Sequence, residues 1–139
     1  EKNVDIHRKE HGVLLGLGMK ILKISEPVFE TSLTIITGCS EKVFVRDWNA
    51  NYDFQIEENG AYGKTIILNR HANVTMWLTR KDNIETLSHE LTHAIQYWMQ
   101  DFLQINISKE TDEMYAYLMS FYMRECLKGI GLKRLTANG

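Results

Sequence analysis

Cysteine occurs only twice in the 139 residues, as Cys39 and Cys126. Two such residues make no disulfide framework, so a reduced, cytoplasmic compartment is the simpler expectation. Proline occurs once, at Pro27, and neither a repeat nor a low-complexity tract divides the chain. Long apolar runs are missing as well. Gly12–Met19 is apolar but short and glycine-rich, far below membrane-span length and without a cleavage-site pattern. Nor does one sign of charge prevail, since 16 basic and 18 acidic residues give a net charge of −2. With no basic stripe, nucleic acid is a poor partner. What the chain does have is 44% apolar residues, enough for one compact domain over residues 1–139.

The order of elements predicts an α+β fold. Residues 3–23 read loosely as a helix, weakened by glycines at 12, 16 and 18. Its His7 and His11 lack an intervening glutamate and read as surface imidazoles. Val28–Thr37 and Val43–Trp48 read as strands around a Gly38–Glu41 turn. Asn49–Glu58 is a polar loop or a third strand, and Glu57–Gly60 is a turn. Tyr62–Asn69 is a β-branched run bounded by turn residues, hence a strand; Val74–Leu78 is a second strand or an irregular bridge. Two helices follow, and Gly129–Gly139 reads as a basic tail. Residues 1–60 thus supply a helix and strands, and residues 61–128 an edge strand and the two helices. A small mixed or antiparallel sheet packs against the first of these helices.

That helix carries His89-Glu90-Leu91-Thr92-His93. Asp82 or Asn83 caps it, and it runs from about Ile84 to Met99. Ile84, Leu87, Leu91, Ile95 and Trp98 form one apolar stripe by their spacing of three and four. At about 100° per residue, His89 and His93 fall almost opposite its centre. Gln96 and Gln100 share the histidine side, which suggests a wet cleft. Two histidines one helical turn apart can reach one metal ion, and the intervening glutamate stands beside it, placed to take a proton from an activated water.

A catalytic zinc usually takes three protein ligands. No histidine follows His93, and Cys126 has no partner at metal-type spacing. Asp101, Glu110, Asp112, Glu113 and Glu125 remain. Ser108 is a natural N-cap for a second helix over Lys109–Lys128. Glu113 shares a side of that helix with the small Ala116 and Ser120, which permit close approach to the histidine helix. Asp112 points elsewhere by about 100°. The face argument therefore favours Glu113 over Asp112, although an acidic first turn also answers the helix dipole.

His89-Glu90-x-x-His93 followed after nineteen residues by Glu113 resembles the gluzincin branch of the zincin metallopeptidases. Ser88–Gln96 together with Glu113–Tyr117 is similar to the small gluzincin-like domains of bacteria, bacteriophages and mobile elements. The resemblance covers roughly residues 62–127. It implies a minimal zincin-like fold, Zn2+ held by His89, His93 and Glu113, and Glu90 as general base. It also implies an edge strand that a substrate peptide joins, and Lys64–Asn69 is the better candidate for it. Thermolysin-like members often place an aspartate four residues after the glutamate ligand to orient a histidine. Tyr117 stands there in this chain. A phenol can make the same bond or steady the oxyanion, a role for which Tyr115 and His71 are the other candidates.

The expected function is zinc-dependent hydrolysis of peptide bonds in a polypeptide substrate. The alternative is a zinc-binding regulatory or interaction domain, of phage or mobile-element origin, with little general proteolysis.

Overall fold

The computed structural model describes residues 19–131. The expectations for residues 3–18, including His7 and His11, and for most of the C-terminal tail lie outside the described residues. Within them the protein is α+β, with a four-stranded mixed sheet and three α-helices. In chain order these are β1 (Lys20–Glu26), β2 (Thr31–Thr37), α1 (Glu41–Asn51), β3 (Gly63–Ile66), β4 (Asn73–Leu78), α2 (Ile84–Gln96) and α3 (Asp112–Gly129). The sheet order is β1-β2-β4-β3. β1 and β2 form an antiparallel hairpin, β2 and β4 run parallel, and β3 closes the sheet antiparallel to β4. No described helix is long and apolar enough to cross a membrane.

Strand periodicity sends alternate residues to opposite faces, and this divides the core in two. Leu33 and Ile35 of β2 join Val74, Met76 and Leu78 of β4 beneath α2 and α3. Ile36, Ile66 and Trp77 point the other way, against Phe44, Val45 and Trp48 of α1. The Phe44 and Trp77 rings stack with centroids 5.9 Å apart.

Several sequence expectations are corrected. Residues 20–23, assigned to a first helix, belong to β1. Val43–Trp48, read as a strand from its β-branched residues, lies within α1. Ser40 decides the second case: its side chain caps the helix by accepting from the Val43 amide at 3.2 Å. Phe44, Val45 and Trp48 then bury on one helical face. The strand expected from Val28 begins at Thr31, because Val28 and Phe29 sit in the hairpin turn. The buried Glu26 carboxylate accepts from both of their amides, at 2.6 and 3.1 Å.

The histidine helix forms as its sequence predicts. The Asn83 side chain accepts from the Thr86 amide at 3.1 Å. Leu87, Leu91, Ile95 and Trp98 are all buried, whereas Ile84 at the helix start stays 45% exposed. After Gln96 the helix widens into a π-helical turn over Tyr97–Phe102. There the Tyr97 hydroxyl donates to the His71 carbonyl at 2.6 Å and the Trp98 indole to the Ala72 carbonyl at 2.7 Å. The β3–β4 connection is thereby pinned to the end of the helix.

Candidate metal centre

α2 lies against β3 at the edge of the sheet, and the candidate site occupies that junction. The His89 and His93 side chains are exposed on the helix face turned from the core, while Glu90 is only 7% exposed. The two imidazoles converge. Their Nε2 atoms are 3.2 Å apart, and the rings meet edge to face. Nitrogens bound to one tetrahedral zinc at about 2.0–2.1 Å lie about 3.3 Å from each other. The pair therefore fits two positions of a zinc coordination shell.

Glu90 turns toward β3. The Thr65 hydroxyl of β3 donates to Glu90 Oε1 at 2.6 Å and lies 3.2 Å from the Glu90 backbone carbonyl. This needs the strand and helix very close together, and Gly63 makes it possible. A Cβ at that position would lie 2.7 Å from Thr86 Cγ2 and 3.0 Å from Glu90 Cγ. Glu90 and His93 then line one wall of a groove of about 580 Å³ that follows β3. The other wall holds Phe54, Ile56 and Asn59 from the irregular segment after α1.

That outer wall is tied down at both ends. The Trp48 indole donates to the Phe54 carbonyl at 2.6 Å, and Asn49 holds both the carbonyl and the amide of Ile56, at 2.9 and 2.8 Å. Farther along, the Glu41 carboxylate accepts from the Asn59 and Gly60 amides, each at 2.9 Å, and pairs with Lys64 at 3.0 Å. Partial burial works to raise the pKa of Glu41. The Asn59 and Gly60 amides and the Lys64 ammonium outweigh it and hold the group below its ordinary value.

Glu113 stands exposed in the first turn of α3, next to the exposed Asp112. Among the described residues, no three or more histidine, cysteine, aspartate or glutamate side chains are placed to hold one metal ion together. Tyr117, one helical turn after Glu113, donates its hydroxyl to Glu26 at 3.0 Å. Burial, and then the bonded carboxylate, push its phenol above the usual value and keep it a neutral donor. Tyr115 packs half-buried against the core. His71 is half-buried in the β3–β4 connection, with its amide bonded to the Leu68 carbonyl at 3.1 Å.

Sequence reasoning missed Thr65 and Gly63. Their roles arise from contacts 25 and 27 residues away with Glu90. The one local signal was the glycine at the head of the expected edge strand. Comparison with protein-family models, curated proteins and solved structures found no match to this chain.

Proposed function

We propose that the protein is a zinc-dependent metallopeptidase of minimal zincin-like plan. The observation that carries this reading is the convergence of the His89 and His93 Nε2 atoms at 3.2 Å, with Glu90 between them in sequence and aimed at the edge strand. The α+β architecture supports it, because β3 ends the sheet directly beside α2. His89 and His93 are the ligands in this reading, and Glu113 is the carboxylate that completes the set. Zinc bound there supplies Lewis acidity, which lowers the pKa of water and polarises a carbonyl.

The chain's own residues do the rest. A substrate segment lying along β3 places a peptide carbonyl over the exposed imidazoles. Glu90 accepts a proton from the attacking water and returns it to the leaving amine. Thr65 fixes one carboxylate oxygen and leaves the other for that transfer. The groove walls hold the segment extended and restrict water around it.

A second reading is a zinc-binding interaction domain with little proteolysis, built on the same histidine pair.

The two readings separate in a proteome-derived peptide library treated with zinc-loaded wild type and Glu90→Gln, with new termini read by mass spectrometry. The peptidase reading expects cleavage by the wild type and a loss of about 10²–10⁴-fold in Glu90→Gln. Equal cleavage by both removes Glu90 from the mechanism. Stoichiometric zinc with no cleavage by the wild type supports the interaction domain.

A further inference from the structure

The groove has two chemically different walls, and only one belongs to the proposed chemistry. Glu90 and His93 form the α2 side, whereas Phe54 and Ile56 form the side next to α1. Phe54 is 52% exposed, although its backbone is fixed by the Trp48 indole at 2.6 Å. Ile56 is held by two bonds to Asn49 at 2.8 and 2.9 Å. A preorganised segment that turns a phenylalanine ring outward lowers the cost of ordering on binding.

The Lys64 ammonium of β3, which lines the same groove, is already satisfied: it meets Glu41 at 3.0 Å, the Glu57 carbonyl at 2.8 Å and Asn59 Oδ1 at 3.0 Å. An ammonium has three donors, so each has an acceptor. The wall itself therefore offers the aromatic Phe54 and aliphatic Ile56 with no cation left for an acidic side chain, and the exposed Glu57 and Glu58 of the same segment disfavour one further.

We propose that Phe54 and Ile56 form a subsite for a large uncharged apolar side chain of an extended peptide bound along β3. Among the described residues, no strand lies beyond β3, so its outward backbone groups can pair with an added strand. Alternate side chains of such a strand fall on opposite sides of the sheet edge. Those on the α2 side meet Glu90 and His93, and their neighbours turn toward Phe54 and Ile56. The proposal rests on the peptidase reading for its substrate class and adds the selectivity.

The test uses two blocked pentapeptides, identical except for phenylalanine or aspartate at the centre. Each is titrated into ¹⁵N-labelled Glu90→Gln protein, where binding needs no turnover. The phenylalanine peptide should shift the amides of Phe54, Ile56 and Gly63–Ile67 and bind about tenfold tighter than its counterpart. Phe54→Ala should abolish that preference, and Phe54→Lys should turn it toward the aspartate peptide; the spectra themselves report whether each variant is folded. Equal affinities, no binding, shifts confined to other surfaces, or an undiminished preference in folded Phe54→Ala would each overturn the subsite. Apolar binding in the groove together with a wild type that cuts nothing would leave the subsite standing and remove the peptidase reading. Cleavage by the wild type without apolar preference would do the reverse.

Discussion

The hydroxyl of Thr65 on the edge strand donates to Oε1 of Glu90 on the histidine helix at 2.6 Å. This bond joins sheet edge to helix at the point where the proposed chemistry occurs. It also gives a buried carboxylate its partner. Thr65→Val keeps the shape and removes the donor, which leaves Glu90 unsatisfied at 7% exposure. The expected cost is about 1–3 kcal/mol in urea denaturation, with Thr65→Ser close to wild type. A Thr65→Val protein as stable as wild type would show that water replaces the hydroxyl there.

Gly63 tests how closely strand and helix approach. Its missing Cβ would sit 2.7 Å from Thr86 Cγ2, so Gly63→Ala should cost about 1–3 kcal/mol by overpacking. Thr86→Ser removes the opposing methyl, and the double variant should regain much of that loss. Strict additivity of the two changes in a double-mutant cycle would contradict the contact.

The histidine helix was the most legible part of the chain. Its cap at Asn83, its apolar spacing and its motif are all local, and local signals survive into the fold. α1 was lost to a competing local signal. Val43 and Val45 favour a strand by propensity, yet the Ser40 cap and the joint burial of Phe44, Val45 and Trp48 decide for helix. β1 was hidden because Lys20–Glu26 lacks a clean alternation, and only Ile24 and Glu26 in it are buried. The coarse α+β class survived both errors. At the site, the histidine pair was readable because its members stand four positions apart, one helical turn. The bonds from Thr65 to Glu90 and from Tyr117 to Glu26 span 25 and 91 residues, and spacing carries no information at that range. Tyr117 occupies the position that the family resemblance assigns to a histidine-orienting side chain, and in this structure its hydroxyl serves the buried Glu26 of the β1–β2 hairpin.

Glu41 predicts how the groove responds to acid. Its pKa in the folded protein is held below the ordinary 4.5. A depressed carboxylate contributes stability that is fully present above its unfolded pKa and is lost as pH falls through the folded one. Thermal midpoints of wild type and Glu41→Gln should therefore differ at neutral pH and converge below about pH 4.5. The amides of Asn59 and Gly60 should lose protection over the same window, relative to the intrinsic exchange rate at each pH. A gap between the midpoints that persists unchanged to pH 3 would show that the carboxylate charge is not what ties the loop.

The most direct test of the account is metal content. Wild type, His89→Ala, Glu113→Ala and Asp112→Ala, purified without a metal-affinity tag, are offered zinc, dialysed and analysed by inductively coupled plasma mass spectrometry. The account predicts stoichiometric zinc in the wild type and in Asp112→Ala, and its loss in His89→Ala and Glu113→Ala. A wild type that retains no zinc would contradict the metal centre and reduce the converging histidines to a feature of an exposed helix face.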